Sequence, residues 1–226
     1  AQAIVGLGFL GYYFASYLDF LGLQYITASL ERLILYLNPT LVLMLGWVLH
    51  KQAVSGRRIA AMALSYAGVL VVFGHEVSLE GPHVTLGVGL VFCSALAYAL
   101  YLIFSGQMVK RIGSMRLVGW ASSAACVFSL IQFVVVQPMS VSEIPPAVWT
   151  LSLTNAVFCT VAPVLMVMMA VERIGPGLTA QAGMVGPMFT VILGVLVLDE
   201  PFNQWVILGT LLVLSGVYMV SRLGGK

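Results

Sequence analysis

Long apolar runs, separated by short polar loops, fill almost the whole chain. A helix needs about 20 mostly apolar residues to cross a bilayer, and eight runs approach or exceed that length. The loops carry glycine, proline or charged residues, which end helices. The pattern therefore predicts an all-α, polytopic transmembrane bundle. Its predicted helices, numbered one to eight, are Ala3–Leu23, Ala28–Leu49, Arg58–Gly74, Thr85–Met108, Met115–Val136, Ala147–Val171, Gly177–Leu198 and Phe202–Arg222.

The composition fits a bilayer as solvent. Of 226 residues, 61% are hydrophobic and only 8% are charged, whereas soluble domains carry about 25% charged residues. The three cysteines lie inside apolar runs without CxxC spacing, so neither a disulfide nor a metal site is predicted. The chain has no Walker loop and no G-x-S-x-G motif. We therefore expect no enzyme activity, no cofactor and no ATP bound on this chain.

The loop charges predict the topology. If eight helices alternate in direction, nine basic residues fall on one side and five carboxylates on the other. Basic loops mark the cytoplasmic face. The chain is therefore predicted to be a multi-pass protein of a cell (inner) membrane with both of its ends cytoplasmic. The nine basic residues are Lys51, Arg57, Arg58, Lys110, Arg111, Arg116, Arg173, Arg222 and Lys226.

The chain contains an internal repeat. Residues 174–220 align with residues 26–72 without a gap after a shift of 148 positions. The alignment pairs Pro39 with Pro187, Gly46 with Gly194, and Gly68 with Gly216. Predicted helices one to three thus match helices six to eight. A step of five helices is odd, so the second copy should be inverted in the membrane, as in many secondary transporters.

These repeated residues, with Gly209 and the Leu198-Asp199-Glu200-Pro201 segment, resemble the EamA-type members of the drug/metabolite transporter superfamily. The resemblance implies two inverted repeats of five helices, of which eight helices are present. Residues 1–74 would form a first repeat lacking its first two helices, and residues 84–222 a complete second repeat. Gln52 departs from the pattern. It is the repeat equivalent of Glu200, and the family usually has a glutamate at this position.

Three ionisable residues lie in predicted helices one and two, where charges are expensive and need partners or tasks. They are Asp19, Glu31 and Arg32. One interpretation is a rim ion pair between Asp19 and Arg32. The other is substrate or proton binding, for which Glu31 is the better candidate because Thr27 and Asn38 share its predicted helix face.

Single polar residues in other helices are further candidates. Tyr98 and Tyr101 lie near the middle of predicted helix four, where they line a cavity or hydrogen bond to a neighbouring helix. Asn155 and Gln181 are single amides that are predicted to be buried. Each is expected either to contact a ligand or to hydrogen bond to a neighbouring helix.

Three prolines interrupt predicted helices, since proline removes a backbone hydrogen bond. Pro39 and Pro187 fall near mid-membrane and Pro163 lies in predicted helix six. We expect hinges or kinks at these positions. Arg32 is expected to have a structural role in the hairpin of predicted helices one and two.

The predicted function is secondary, non-ATP transport of small organic metabolites by alternating access, as an exporter or exchanger. The alternatives are a passive channel or facilitator and a non-transporting membrane scaffold. The predicted partners are a small-molecule substrate, the lipid bilayer and, through Glu31, protons, with no nucleic acid. The pattern assigns no particular substrate or oligomeric state. The predicted substrate contacts are Asp19, Glu31, Asn38, Tyr98, Tyr101, Asn155 and Gln181.

Overall fold

The computed structural model describes residues 2–50, 56–80, 83–136, 145–182 and 204–223, and these contain helices and turns. Two helices include a wider π-helical segment. In chain order the elements are α1 Gln2–Gly8, π1 Phe9–Phe14, α2 Ala15–Gly22, α3 Ala28–Leu35, α4 Asn38–His50, α5 Gly56–Glu80, α6 Val84–Ile112, α7 Ser114–Val136, α8 Pro146–Thr154, π2 Asn155–Val161, α9 Ala162–Ala182 and α10 Gln204–Leu223.

Five helices in the described part of the chain are long and apolar enough to cross a membrane. The prediction of an all-helical membrane protein is thus confirmed, while the count of eight stays a prediction. α5 and α10 contain shorter apolar stretches. Helix α9 contains the end of predicted helix six and the beginning of predicted helix seven, and it reaches residue 182. The five are Gln2–Gly22, Leu30–Leu49, Val84–Ile112, Ser114–Val136 and Pro146–Ala180.

Helix α6 holds the bundle together. It packs against α3, α4, α7 and α9, and against the first membrane helix, Gln2–Gly22, which consists of α1, π1 and α2. We call Gln2–Gly22 the first helix. Its contact face carries small residues: a Cβ on Gly87 would lie 2.8 Å from the Cβ of Tyr25, and one on Gly106 would lie 3.1 Å from the ring of Pro176. Small residues let helices approach closely, which is the main source of packing in membranes.

The first helix runs antiparallel to α6. Gly11 contacts the ring of Tyr101, and the Ser94 hydroxyl donates a 2.8 Å hydrogen bond to the carbonyl oxygen of Ala15. Residue numbers rise along the first helix as they fall along α6. The beginning of α1 therefore lies beside the end of α6.

Pro163 follows a stretch of altered helix geometry. Proline has no N–H, and its ring would press on the carbonyl four residues earlier. Residues Asn155–Val161 form the π-helix π2, and the Ala162 N–H bonds to the carbonyl of Val157, five residues back. The wider turn accommodates the proline, since π-bulges interrupt the α-helical ladder.

Helix α9 is interrupted at Gly175, whose φ of 82° and ψ of 164° are non-helical. Gly113, between α6 and α7, has a similar φ of 80°. The two glycines lie close in the fold, because Glu172 Oε2 accepts a 3.1 Å hydrogen bond from the N–H of Ser114. Glu172 thus caps the beginning of α7, where a negative charge is favourable.

Helices α5 and α10 make the most extensive helix–helix contact in the described chain. A Cβ on Gly68 would lie 2.6 Å from the carbonyl oxygen of Gly209, and one on Gly216 would lie 2.5 Å from that of Ala61. The order of these contacts is reversed along the two helices, so α5 and α10 are antiparallel. Both of these close contacts are possible because glycine has no side chain.

Replacing Gly216 with alanine should destabilise the protein by about 1–3 kcal/mol, because the new methyl group would push α5 and α10 apart. The matched control is Gly119→Ala in α7, where a Cβ meets nothing within 4 Å. Thermal unfolding in detergent micelles should show a lower midpoint for Gly216→Ala and an unchanged or slightly higher one for Gly119→Ala. Equal midpoints for the two variants would contradict close packing at this crossing.

Candidate functional site

Three charged side chains meet where the first helix turns into α3. Asp19 lies in the last turn of α2, and Glu31 and Arg32 lie near the start of α3. Arg32 Nε is 3.0 Å from Glu31 Oε2, and the side-chain exposures are 35% for Arg32 and 1% for Glu31. The carboxyl group of Asp19 lies near that of Glu31 and interacts with the Arg32 charge. We call these three residues the hairpin cluster.

The hairpin cluster differs from the predicted rim pair. The ion pair of Arg32 is with Glu31 rather than with Asp19. Two carboxyl groups and one guanidinium group meet here. With both carboxyl groups ionised, the cluster carries a net negative charge in a buried place, which is costly. A proton on one of them makes the cluster neutral.

Helix α3 is short because hydrogen bonds between neighbouring residues end it on both sides. At its beginning the Thr27 hydroxyl accepts a 3.2 Å hydrogen bond from the N–H of Leu30, as an N-cap does. At its end the N–H of Leu37 bonds to the carbonyl of Ile34, three residues back, at 2.9 Å. This tight turn separates α3 from α4.

The break between α3 and α4 lies just before Pro39, near the middle of the span Leu30–Leu49. Pro39 has no N–H, so the carbonyl of Leu35 loses its usual helical donor. Thr27 and Asn38 lie outside α3, on either side of it. Thr27 is thus the N-cap of α3 and Asn38 the first residue of α4, so the predicted face that joins Thr27, Glu31 and Asn38 is divided among these elements.

Two buried polar atoms beside this break lack hydrogen-bond partners among the described residues. They are the hydroxyl of Tyr36, which is 1% exposed, and Oδ1 of Asn38. Buried polar atoms are nearly always paired, and the hydrocarbon interior offers no water. The pair therefore suits a polar ligand or ordered water. Tyr36 is missed by the sequence analysis, although an isolated tyrosine three residues before a mid-helix proline is a usable signal.

The tyrosines of α6 form a second group. The Tyr101 side chain is 1% exposed, and its hydroxyl hydrogen bonds to that of Tyr12 in π1. Tyr98 is half-buried and stacks on Tyr101, with ring centroids 5.9 Å apart. Gly11 gives the Tyr101 ring its space. Tyr101 thus follows the packing alternative, and Tyr12, which is not among the predicted contacts, is its partner.

The remaining predicted residues lie elsewhere. Asn155 begins π2 and is exposed, whereas a buried amide was expected there. Its segment packs chiefly against α8 and α9, which continue it in sequence. Gln181 lies in the last turn of α9. Pro187 lies outside the described residues.

A cavity of about 340 Å³ lies between the beginning of α1 and the end of α6. Its polar lining comes from Gln107 and Arg111. The sequence predicts neither as a site residue, because both resemble ordinary residues of a helix end, and Arg111 served only to predict the topology. The apolar residues that complete the lining are Ala3, Gly6, Leu7, Leu10, Phe104 and Met108.

A helical bundle with an interrupted membrane helix and unpartnered polar groups near the bilayer centre is typical of membrane carriers. The model of the EamA-like transporter family matches residues 2–74 and 85–222 of this chain. The chain therefore belongs to the EamA-like transporter family and is a multi-pass membrane protein.

Similar proteins agree with this assignment. The chain is 28% identical to the uncharacterized transporter YcbK of Bacillus subtilis (strain 168), over 95% of this chain and 69% of that protein. It is 25% identical to the uncharacterized transporter YyaM of the same organism, over 98% of this chain and 73% of that protein. One solved crystal structure shares the fold with a TM-score of 0.70 and 16% identity, over 99% of this chain and 77% of that chain.

Replacing Tyr12 or Tyr101 with phenylalanine should each cost about 0.5–1.5 kcal/mol of stability, because each change removes the same hydrogen bond. The double variant should therefore cost little more than either single one. Reversible unfolding in detergent micelles would measure this double-mutant cycle. Fully additive losses would show that the two hydroxyl groups do not depend on each other.

Proposed function

We propose that this protein is a secondary transporter of small organic metabolites that works by alternating access without ATP, as an exporter or exchanger. The observation that carries the proposal is the helix break at Tyr36 and Leu37 with its two unpartnered polar atoms. Unwound membrane helices supply backbone carbonyls and helix ends to a substrate. A scaffold would satisfy such groups with its own side chains.

The contacts between α5 and α10 support an inverted 5+5 repeat with eight of ten helices in this chain, residues 1–74 forming the first repeat and residues 84–222 the second. A shift of 148 positions carries Ala61, Ser65 and Gly68 onto Gly209, Val213 and Gly216. The contact of Gly68 with Gly209 then corresponds to the contact of Gly216 with Ala61.

The Ser65 hydroxyl also donates a 3.4 Å hydrogen bond to the carbonyl of Val213, its own equivalent 148 positions away. A contact between equivalent residues is expected where a two-fold axis passes. In this arrangement the basic loops make both ends of the chain cytoplasmic in an inner membrane.

The substrate, in this proposal, binds between the helix break and the tyrosines of α6. Tyr36 and Asn38 supply hydrogen-bonding groups, and the half-buried ring of Tyr98 supplies an apolar face. Such a site suits a small solute with a polar group and an apolar body, since ligand sites combine apolar walls with a few placed polar groups.

Protons are the proposed coupling ion, through the hairpin cluster. Asp19 and Glu31 bring two carboxyl groups close to one guanidinium group. Arg32 therefore compensates only one carboxylate, and a proton on the other makes the cluster neutral. Loss of the proton leaves a buried negative charge, which favours either re-protonation or a cationic group. The cluster lies at one end of α3 and the helix break at the other, so both belong to one short element.

The function is tested by uptake into proteoliposomes over a set of amino acids and other metabolites, with and without an imposed proton gradient. A transporter should give saturable uptake and counterflow of at least one solute class. Uptake that rises linearly with concentration and lacks counterflow would instead favour a channel.

For a solute found in this way, Glu31→Gln should abolish proton-driven uptake and leave solute exchange partly intact, because glutamine cannot gain or lose a proton. The matched control is Glu172→Gln, an exposed carboxylate outside the hairpin cluster, which should keep proton-driven uptake. Arg32→Gln should lower expression or folding, since it leaves Glu31 buried without its cation. Normal proton-driven uptake by Glu31→Gln would remove the hairpin cluster from the coupling mechanism.

Asn38→Cys should react with a small polar thiol reagent, and the transported solute should slow the reaction, because position 38 borders the proposed site. The background needs serine at the exposed residues Cys93, Cys126 and Cys159. The control is Thr40→Cys, since Thr40 is fully buried and donates a 2.6 Å hydrogen bond to the carbonyl of Leu37. Equal labelling at positions 38 and 40, with no effect of the solute, would count against a site at the break.

A further inference from the structure

The cavity between α1 and α6 shares no lining residue with the hairpin cluster or with the substrate site proposed above. Of its lining residues on the first membrane helix, Leu10 is the nearest in sequence to Asp19. At 1.5 Å per residue these two positions are about 14 Å apart along the helix axis. The lining of the cavity therefore does not reach the hairpin cluster.

The polarity of the cavity is divided along its length. Leu7, Leu10, Phe104 and Met108 give it apolar walls. Its two polar residues, Gln107 and Arg111, lie one turn apart toward the end of α6. Its volume of about 340 Å³ is within the usual range for ligand sites. A polar metabolite would need polar partners on several sides. An amphiphile with one charged end matches this distribution better.

The length of α6 places Arg111 at the membrane surface. α6 has 29 residues and is therefore about 43 Å long, whereas the hydrocarbon core is about 30 Å thick. The end of α6 extends into the layer of lipid head groups. Arg111 is the penultimate residue of α6 and is exposed, so its guanidinium group lies at the depth of lipid phosphates.

The charge at this end of the bundle is positive. Arg111 has no ion-pair partner among the described residues. Lys110, Arg116 and Arg173 are also exposed here, while Glu172 is bonded to the N–H of Ser114. Basic pockets between membrane helices attract anionic lipid head groups.

We propose that this cavity binds an anionic phospholipid, with its phosphate on Arg111 and an acyl chain against Leu10, Phe104 and Met108. Arg111 is suited to this role because guanidinium groups form two parallel hydrogen bonds to phosphate. The lipid would fill the space between α1 and α6 and hold the ends of these helices together. Neither the transport proposal nor the hairpin cluster is needed for this binding.

Native mass spectrometry of the purified protein in neutral detergent, with phosphatidylglycerol and phosphatidylcholine of matched acyl chains, tests the proposal. The protein should retain phosphatidylglycerol preferentially. Arg111→Gln should lower its apparent affinity for phosphatidylglycerol about fivefold, the effect of one basic residue near an anionic surface. Arg116→Gln, which removes an equal exposed charge outside the cavity lining, should change the affinity less than twofold.

A second variant fills the cavity and keeps its charge. A Cβ on Gly6 meets nothing within 4 Å, so Gly6→Phe places its ring in the cavity without a backbone clash and should reduce retention of both lipids. Thermal midpoints near that of the parent protein would show that the variants fold.

Any one of these results would overturn the proposal: equal retention of the two lipids by the parent protein, equal losses for Arg111→Gln and Arg116→Gln, or unchanged retention by Gly6→Phe. Loss of solute uptake in Arg111→Gln and Gly6→Phe with normal lipid retention would assign the cavity to the transported solute and would equally overturn it.

Discussion

The absence of water in the hydrocarbon core is the constraint on which this structure depends. Every backbone N–H and C=O group there must be paired within the protein, so each departure from α-helical geometry needs a local compensation. In π2 the Ala162 N–H bonds five residues back, which makes room for Pro163. In π1 the same pattern joins Ala15 to Leu10, and Gly11 makes room for Tyr101. The break between α3 and α4 differs, because two buried side-chain atoms beside it find no partner in the described chain. It is the departure that a ligand would complete.

The same environment makes close packing important. Lipid tails are as apolar as leucine, so there is little hydrophobic driving force for helices to associate. Van der Waals contact between small residues replaces the hydrophobic effect. Near-contact of backbones at Gly68 and Gly216 joins α5 to α10, which belong to different repeats in the proposed plan. Two antiparallel helices in such contact can rotate about their crossing more easily than they can separate. In a carrier that alternates between two states, this crossing would serve as the joint between the halves.

The sequence predicted the helical class and many of the glycine and proline positions, because these follow from composition, apolar run length and the repeat. It also brought together Asp19, Glu31 and Arg32, since residues on a short hairpin are close in any fold. It could not predict the bond between Tyr12 and Tyr101, which depends on the register between two helices. Helical periodicity fixes which residues share a face, but it gives no axial position relative to a neighbouring helix.

Two differences from the prediction arise from local structure and packing. The face shared by Thr27, Glu31 and Asn38 assumed an unbroken helix, while Thr27 is an N-cap and a tight turn precedes Asn38. Asn155 was expected to be buried because an amide is costly in lipid, yet its side chain is exposed in the described structure. Periodicity identifies a polar residue in an apolar helix, but only the arrangement of neighbouring helices decides what that residue faces.

Helix α3 links the charged and the unpartnered groups mechanically. It has 8 residues, so it is about 12 Å long. The extended residue Thr27 precedes it, and a tight turn follows it. Leu30 and Leu33 on its buried face are fully covered by the core. A rigid rod between two joints responds to a force at one end by turning as a unit. A change of charge at Glu31, near its beginning, would therefore be felt at Tyr36, just past its end. In the proposed mechanism, the position of α3, more than any single side chain, would couple a proton on Glu31 to the site at the helix break.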